Sequence, residues 1–539
     1  MVNWITWVTL AIVIVLYGAI YYLIRKRKLF SNHGVTTYGP LIMWKTERGR
    51  EFIDWLARPK RFWRAYAFLA KAVCLLVAVF MLVLLLWEAT IVSRIPDSSA
   101  PTPEMMLGIP GLNPIIPIIY GIIGLIVAII VHEFAHGILT RVGGLSLKSL
   151  GIILLIIPLG AFVEPDEQQI TATDRKRRTS IFAVGSATNI FLALFCAILF
   201  CSGFMSSAQP VNENPVITSV GENSPAYHGG LAYGMQVMQV EDISIMNLDD
   251  WNDLNFDPGT NVTFTYFYEG ASESSMATSG LAFVKVSPDL AAAKAGIEPG
   301  MIVASLNDTM IRNQSDFESA LSFTQPHQTV NITVLAYYSV TNSYQVAPIT
   351  KITLDSRKEY YLKVDPGQVN DSFVDRGFMG VNTAYMGAIL GDPNALIMSL
   401  AHPLAGANSL QGVVGEILQF IALPLRGLAP VESPLSDLFV PTGWLAWMPQ
   451  GMFWFLANTF YWIFWINLMV GMTNVLPAVP LDGGYLFRDS LDWLIEHFKK
   501  GATESEKARI QRQVSTITIF VTVLVFFLIF WQLIGPRLL

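Results

Sequence analysis

The chain has 539 residues, of which 53% are hydrophobic and 14% charged, and its formal net charge is −6. This length exceeds one compact domain, and this composition is typical of a multi-pass membrane protein rather than a soluble one. No long basic stripe indicates a nucleic-acid partner. The three cysteines lie in or beside apolar segments, which implies neither a disulfide framework nor a cysteine zinc site.

Six apolar stretches are long enough to cross about 30 Å of hydrocarbon. They lie near 4–24, 66–87, 114–139, 180–204, 451–475 and 514–534. Basic residues follow the first stretch instead of preceding it, so we predict an uncleaved anchor there. Lys and Arg are concentrated between these stretches at 25–64, 141–178 and 488–512. By the positive-inside rule these three regions are cytoplasmic, which places both termini and segment 205–450 outside the cytoplasm.

The third stretch carries His132, Glu133 and His136. Ionisable residues are costly in hydrocarbon and indicate a functional site. Histidines at i and i+4 share one helix face, with Glu133 beside the first, which is the spacing of a zinc hydrolase. Hydrogen bonding between buried helices is the alternative explanation. The spacing favours His132 and His136 as zinc ligands and Glu133 as the general base that activates water.

A catalytic zinc site takes about three protein ligands. The nearest acids downstream are Glu164, Asp166 and Glu167, but the surrounding basic residues mark that region as cytoplasmic surface. Asp482 is favoured instead, because it follows an apolar span and two prolines that break the helix. Broken helices at membrane depth are tolerated where they line a buried cavity. A carboxylate from this bend would complete a site of two histidines and one aspartate.

Segment 205–385 contains an internal repeat. NSPAYHGGLAYGMQV (223–237) aligns with PDLAAAKAGIEPGMIV (288–303), so that each copy has an Ala-containing helix, a glycine turn and a strand. The pattern resembles two tandem PDZ domains of the bacterial and archaeal protease type; a generic pair of α+β modules is the alternative. We predict PDZ-like domains at 205–275 and 276–385, which would bind extended peptide segments by adding a strand to a sheet edge.

The motifs HEFAH (132–136), GAFVEPDE (160–167), AVGSATN (183–189) and NVLPAVPLDGG (474–484) resemble those of the site-2 protease family, the intramembrane zinc metalloproteases. The resemblance covers roughly 114–204 and 451–490. It implies a Zn²⁺ cofactor held by His132, His136 and Asp482, with Glu133 as the catalytic base.

The same resemblance implies that Asn189 and Asn474 bind substrate or stabilise the oxyanion. It also implies that residues 145–163 form the family's membrane-dipping β-hairpin, which presents an edge to unwound substrate. Gly185-Ser186 departs from the Gly-Pro that family members usually carry in the Asn189 motif.

The predicted fold is a polytopic α-helical membrane protein with about six transmembrane helices, a membrane-dipping hairpin and an extracytoplasmic tandem PDZ-like α+β insert. The chain is predicted to begin with an N-terminal region with two transmembrane helices (1–113) and the first half of a catalytic membrane core (114–204). Two PDZ-like domains (205–275 and 276–385) and an extracytoplasmic or interfacial linker (386–450) follow. The second half of the core (451–490) precedes a cytoplasmic loop with the last transmembrane helix (491–539).

We expect this protein to lie in the cell membrane with its active site towards the cytoplasmic side. It would cleave single-span membrane proteins within or near their transmembrane segments, and the PDZ-like pair would filter these substrates. Two alternatives stay open. One is a membrane-tethered zincin that acts outside the bilayer in membrane-protein quality control, and the other is a non-enzymatic PDZ scaffold or metal transporter.

Overall fold

The computed structural model describes residues 4–27, 30, 34–46, 49–92, 101–155, 157–364, 369, 373–498 and 504–538. The chain forms two compact units, which we call the membrane unit and the insert unit. The membrane unit comprises Met1–Phe200, Ile421–Pro430 and Phe455–Leu539, and the insert unit comprises Cys201–Phe420 and Val431–Trp454.

The N-terminal part of the membrane unit is mainly helical and carries four strands. Its elements in chain order are α1 (Trp4–Arg27), β1 (Val35–Tyr38), β2 (Leu41–Thr46), α2 (Arg50–Leu56), α3 (Lys60–Ile91), α4 (Ile118–Val142), β3 (Leu147–Leu155), β4 (Ile157–Pro165), α5 (Glu167–Ala172) and α6 (Arg175–Ile198).

The insert unit holds most of the strands. Its elements are β5 (Ala208–Pro210), β6 (Val216–Val220), α7 (Pro225–His228), β7 (Gln236–Val240), β8 (Ile243–Ser244), α8 (Leu248–Asn252), β9 (Asn261–Tyr268), β10 (Ala271–Thr278), β11 (Leu281–Val286), α9 (Ala291–Lys294), β12 (Ile302–Leu306), β13 (Thr309–Met310), α10 (Gln314–Ser322), β14 (Thr329–Tyr338), β15 (Ser343–Val346), β16 (Lys351–Thr353), β17 (Asp355–Ser356), α11 (Arg357–Val364), β18 (Gly377–Phe378), β19 (Val381–Tyr385), β20 (Ala388–Gly391), α12 (Pro393–Ala401), α13 (Leu410–Ile421) and β21 (Phe439–Pro441). The apolar helix α13 lies in the predicted linker and is shorter than a membrane span.

Three long helices complete the chain: α14 (Gln450–Asn474), α15 (Asp482–Phe498) and α16 (Glu504–Leu538). Five helical stretches in the described part of the chain are long and apolar enough to cross a membrane. They are Lys60–Ile91, Ile118–Val142, Arg175–Ser207, Gln450–Asn474 and Ala508–Leu538. They coincide with the second to sixth predicted stretches, and the chain is a multi-pass membrane protein. The first predicted stretch lies in α1, which is not among the five, so a count of six stays a prediction.

Small residues on α6 allow the helices of the membrane unit to approach closely. Ala183, Gly185, Ser186 and Ala187 are all buried on this helix. Ala183 and Ala187 pack in one apolar cluster with Ala70 and Cys74 of α3. The backbones of α4 and α6 can therefore lie near each other, and this approach positions the candidate site.

The predicted hairpin at 145–163 is present as β3 and β4, which pair antiparallel with Gly151 opposite Phe162. It belongs to a four-stranded sheet of order β1-β2-β3-β4. Strand β2 pairs with β3, with Trp44 opposite Ile152. Strand β4 is therefore one edge strand of this sheet, and β1 is the other. Strands β1 and β2 were not predicted from the sequence.

The insert unit contains two larger sheets. One runs β10-β9-β7-β6-β20 with β8 beside β7, and the other runs β15-β14-β12-β11-β19 with β13 beside β12 and β16 beside β14. The repeat seen in the sequence recurs in the backbone, because Gly230 and Gly296 both have φ of 78°. Asn247 and Asn313 each cap a helix by accepting a hydrogen bond from the backbone N–H three residues later.

The insert unit therefore contains two related α+β modules; their membership of the PDZ family stays a prediction. The first sheet takes its last strand, β20, from beyond the second module. The domain bounds 205–275 and 276–385 remain predictions.

Candidate metal and active site

Helix α4 places His132 and His136 one turn apart on the same face. Their Nε2 atoms are 3.1 Å apart and both rings point to the same side of the helix. Both side chains are largely buried, with 11% and 15% of their surface exposed. Two imidazoles buried this close together need a shared partner, because unpaired buried polar groups are costly.

Asp482 is that partner, and the break between α14 and α15 places its side chain next to the two rings. Helix α14 ends at Asn474 and α15 begins with Asp482 itself. A Cβ on Gly483 would overlap the carbonyl groups of Val475 and Leu476, so only glycine lets α15 start so close to the preceding turn. Asp482 Oδ2 lies 3.1 Å from His132 Nε2 and 3.2 Å from His136 Nε2.

The three atoms suit a zinc ion. A tetrahedral zinc ion with bonds of about 2.0–2.1 Å holds its nitrogen and oxygen ligands about 3.3 Å apart. The separations of 3.1 to 3.2 Å here are close to that spacing. Within the described residues, these three form the one group of three or more His, Cys, Asp or Glu side chains placed to hold a metal ion. The structure thus brings together the three residues that the sequence analysis selected as ligands.

Helix α6 lies against the two histidines. A Cβ on Gly185 would lie 2.8 Å from His132 Nε2 and closer still to His136 Nε2. No larger residue fits at position 185 while the two rings keep their places. The glycine therefore leaves the space between α6 and the two rings open.

Two groups of the same helix lie next to the Nδ1 atoms of the rings, the ring nitrogens that do not face Asp482. His136 Nδ1 is 2.7 Å from the carbonyl oxygen of Ile181, to which it can donate. The side chain of Asn189, fully buried, lies 3.5 Å from His132 Nδ1, and its Oδ1 has no partner among the described residues. A half-turn of this amide would let Oδ1 accept from His132 Nδ1–H. Partners of this kind fix the tautomer of a metal-binding histidine and leave Nε2 free for the metal.

Glu133 lies beside the three-residue group and is held by the edge strand β4. Its Oε2 accepts a hydrogen bond of 3.0 Å from the backbone N–H of Val163. Glu133 is half-buried and is not one of the three metal donors. A carboxylate held at this position, next to the first histidine, is placed to accept a proton.

Of the other residues considered from the sequence, Asn474 is the last residue of α14, and no hydrogen bond within the described part of the chain joins it to the group. Glu164 bonds instead to Lys45 and Ser149. Asp166 caps α5. The side chain of Glu167 lies outside the described part of the chain.

A model of peptidase family M50 matches residues 120–522, about three quarters of the chain. The chain belongs to peptidase family M50. This assignment confirms the predicted resemblance and the predicted enzyme class, a zinc metalloprotease, with zinc as the cofactor.

Several named proteins are similar to this M50 chain. A protein of Vibrio cholerae, named as a candidate zinc metalloprotease, is 24% identical over 428 residues, which are 68% of this chain and 88% of that protein. An uncharacterised protein of Methanocaldococcus jannaschii is 35% identical over 161 residues, 29% of this chain and 42% of that protein. A Clostridium acetobutylicum protein, also named as a candidate zinc metalloprotease, is 26% identical over 168 residues, 27% of this chain and 47% of that protein. The chain spans less than half of the last two relatives.

A group of ion pairs that the sequence analysis missed joins α6 to α15 in this M50 chain. Arg178 binds both carboxylate oxygens of Asp489, at 2.7 and 2.9 Å. Arg175 contacts Asp492 at 2.7 Å and Glu496 at 2.9 Å. The signal was present, because the three acids recur at helical spacing along one face of α15. These pairs fix the helix whose first residue is Asp482.

We predict that Arg178→Ala loosens the metal site as well as the fold. Asp489 is only 2% exposed, and breaking a buried pair from one side costs about 3–5 kcal/mol. Thermal unfolding and zinc affinity should both fall. Arg177→Ala is the matched control, because this neighbouring arginine is exposed and its ion pair within the described residues is with Asp174, not with an acid of α15.

The exchanged pair, Arg178→Asp with Asp489→Arg, should restore part of the zinc affinity that either single change removes. If Arg178→Ala binds zinc as tightly as Arg177→Ala does, the ion pairs do not position Asp482.

Proposed function

We propose that this protein hydrolyses a peptide bond within or near the transmembrane segment of single-span membrane proteins, with His132, His136 and Asp482 as the zinc ligands and Glu133 as the general base. One observation carries the proposal. Two of the three metal donors lie on α4, a helix long and apolar enough to cross a membrane, and Asp482 at the start of α15 contacts both of them, with the carboxylate of Glu133 next to His132 in the chain. A membrane-tethered zincin that works outside the bilayer would have no need of ligands on such a helix.

The chemistry follows from the positions of the side chains. A zinc ion held by His132, His136 and Asp482 would act as a Lewis acid and would lower the pKa of a water molecule. Glu133 takes the proton of that water, and the Val163 N–H fixes the direction of its carboxylate. Ile181 and Asn189 hold the two imidazoles from behind. In this arrangement Asn189 orients the proposed zinc ligand His132. A contact of Asn189 or Asn474 with substrate or oxyanion stays a prediction.

The edge strand β4 offers a place for the substrate. A transmembrane helix must unwind before hydrolysis, because its carbonyl groups are hydrogen-bonded within the helix. An unwound segment can regain hydrogen bonds by adding to an open sheet edge. The Val163 N–H of β4 points to Glu133 and away from β3, so the open edge of β4 faces the base. A segment added there would run past Glu133.

The test is Glu133→Gln in the full-length protein, assayed on a single-span substrate in reconstituted bilayers. We expect a zinc content equal to that of the unchanged protein and a rate lower by about 10²- to 10⁴-fold, the usual contribution of a general base. Glu164→Gln is the matched control, because this carboxylate lies one residue from Val163 and contacts Lys45 and Ser149 instead of the metal donors.

Mass spectrometry of the products locates the cleaved bond. A bond inside the apolar segment of the substrate supports the proposal. A bond in a soluble loop favours the zincin that acts outside the bilayer, and full activity of Glu133→Gln rejects the assigned base.

We further propose that the insert unit filters substrates by binding an extended stretch of their ectodomain outside the cytoplasm. In support, the edge strands β19 and β20 of the two sheets line one cleft of about 520 Å³, together with Trp251 and Gln314. Two open edges in one cleft can each pair with an extended peptide.

Filling this cleft should impair only substrates with a peptide to bind there. Ile389 lines the cleft and is 45% exposed. We expect Ile389→Trp to raise KM for a substrate with a short ectodomain stub and to leave a substrate without the stub unchanged. Ile243→Trp is the control, since Ile243 is 44% exposed and lies outside the cleft. Equal effects of Ile389→Trp on both substrates would refute the filter.

A further inference from the structure

A cavity in the membrane unit lies between α3, the C-terminal end of α4 and the N-terminal end of α6. Its volume is about 750 Å³. The residues that line it come from 60–71 on α3, from 139–144 at the end of α4, and from 174–180 at the start of α6. None of the proposed metal ligands or the proposed base is among them, so this cavity is separate from the metal site.

Helix α3 contributes a continuous stripe to the wall. Lys60, Arg64, Phe68 and Lys71 follow each other at intervals of three or four residues, so they share one face of the helix. The stripe is about 16 Å long, since a helix rises 1.5 Å per residue. Its cations therefore extend from the end of a helix that can cross a membrane into the start of its apolar part.

The cavity has an excess of positive charge. Five cationic side chains line it, and Asp174 is the one carboxylate among its lining residues. Asp174 already caps α6 and pairs with Arg177 at 3.0 Å. The other four cations, Lys60, Arg64, Lys71 and Lys176, form no ion pair with any residue that the structure describes. One carboxylate does not balance five cations, so the cations repel each other and an anion bound between them would be stabilised.

The remaining lining indicates what kind of anion fits. Ala67, Leu139 and Val142 are buried and form an apolar floor below the charged side chains. Lys and Arg side chains together are the usual partners of phosphate oxygens, which Arg contacts with two parallel hydrogen bonds. Charged side chains above an apolar floor, at the end of a membrane helix, suit a phosphate group that is linked through glycerol to acyl chains.

We propose that this cavity binds the phosphate group of an anionic phospholipid. The proposal does not depend on the proposed function, because it uses neither the metal ligands nor the insert unit. Free phosphate offers the same oxygens to the same cations, so the experiment includes both.

The test measures binding of fluorescent phosphatidylglycerol to the full-length protein in micelles of neutral detergent. The variants are Arg64→Gln, Lys71→Gln and Lys176→Gln. Removing one cation near a phosphate should weaken binding about fivefold, and the loss should shrink as salt is added. Arg64→Lys, which keeps the charge, should retain most of the affinity.

The matched control is Arg61→Gln. Arg61 lies on the same helix and is exposed, and it is not among the residues that line the cavity. We expect this variant to bind phosphatidylglycerol as the unchanged protein does. Equal losses in Arg61→Gln and Arg64→Gln would mean that diffuse surface charge attracts the lipid, and this would overturn the proposal.

Two further probes identify the source of the phosphate. Zwitterionic phosphatidylcholine should bind far more weakly than phosphatidylglycerol, and equal binding of the two overturns the proposal. Inorganic phosphate should compete only at much higher concentration, because it cannot use the apolar floor. If inorganic phosphate binds as tightly as the lipid, the lipid proposal is wrong and the site is one for free phosphate. Thermal unfolding of every variant confirms that it is folded.

Discussion

The structure depends on one set of contacts inside an apolar unit, those between the carboxylate of Asp482 and the imidazoles of His132 and His136. The two histidines come from one helix, and the aspartate begins another helix, 346 residues after His136 in the chain. Bringing these groups out of water is costly unless a cation compensates the carboxylate. Two glycines in different helices make these contacts possible. Gly185 leaves room for the rings, and Gly483 lets α15 begin beside the preceding turn.

Much of this could be predicted from the sequence, because the signals were local. The i, i+4 spacing of the histidines predicted one helix face, and the prolines before Asp482 predicted the helix break. The apolar stretches predicted the long helices to within a few residues, apart from extra turns at the ends of α3, α6 and α16. The glycine pattern of the insert unit predicted two copies of one module, since turns with positive φ favour glycine at the same places.

The parts that could not be predicted depend on pairing between distant segments. Strands β1 and β2 are short, and they are recognisable only through their pairing with β3, more than a hundred residues later. Strand β20 joins the first sheet of the insert unit after the whole second module has intervened. The approach of the Asn189 side chain to His132 Nδ1, at 3.5 Å, follows from the rotation of α6, which no residue of the motif specifies.

The basic residues 175–178 lie on different faces of α6 and therefore contact different parts of the membrane unit. They were interpreted from the sequence as a topology signal. In the structure Arg175 and Arg178 share one face and bind the acids of α15, whereas Lys176 and Arg177 face the cavity beside α3. The first pair is neutralised within the protein and fixes the metal site. The second belongs to the surface where we propose that an anionic lipid binds.

X-ray absorption at the zinc edge tests the central claim most directly. The full-length protein should bind one zinc ion through two imidazole nitrogens and at least one carboxylate oxygen, at about 2.0–2.2 Å. In Asp482→Ala the contribution of the carboxylate oxygen to the spectrum should disappear, and the protein should bind zinc far more weakly. An unchanged spectrum and unchanged zinc affinity in Asp482→Ala would contradict the account, because the carboxylate at the start of α15 would then have no part in holding the metal.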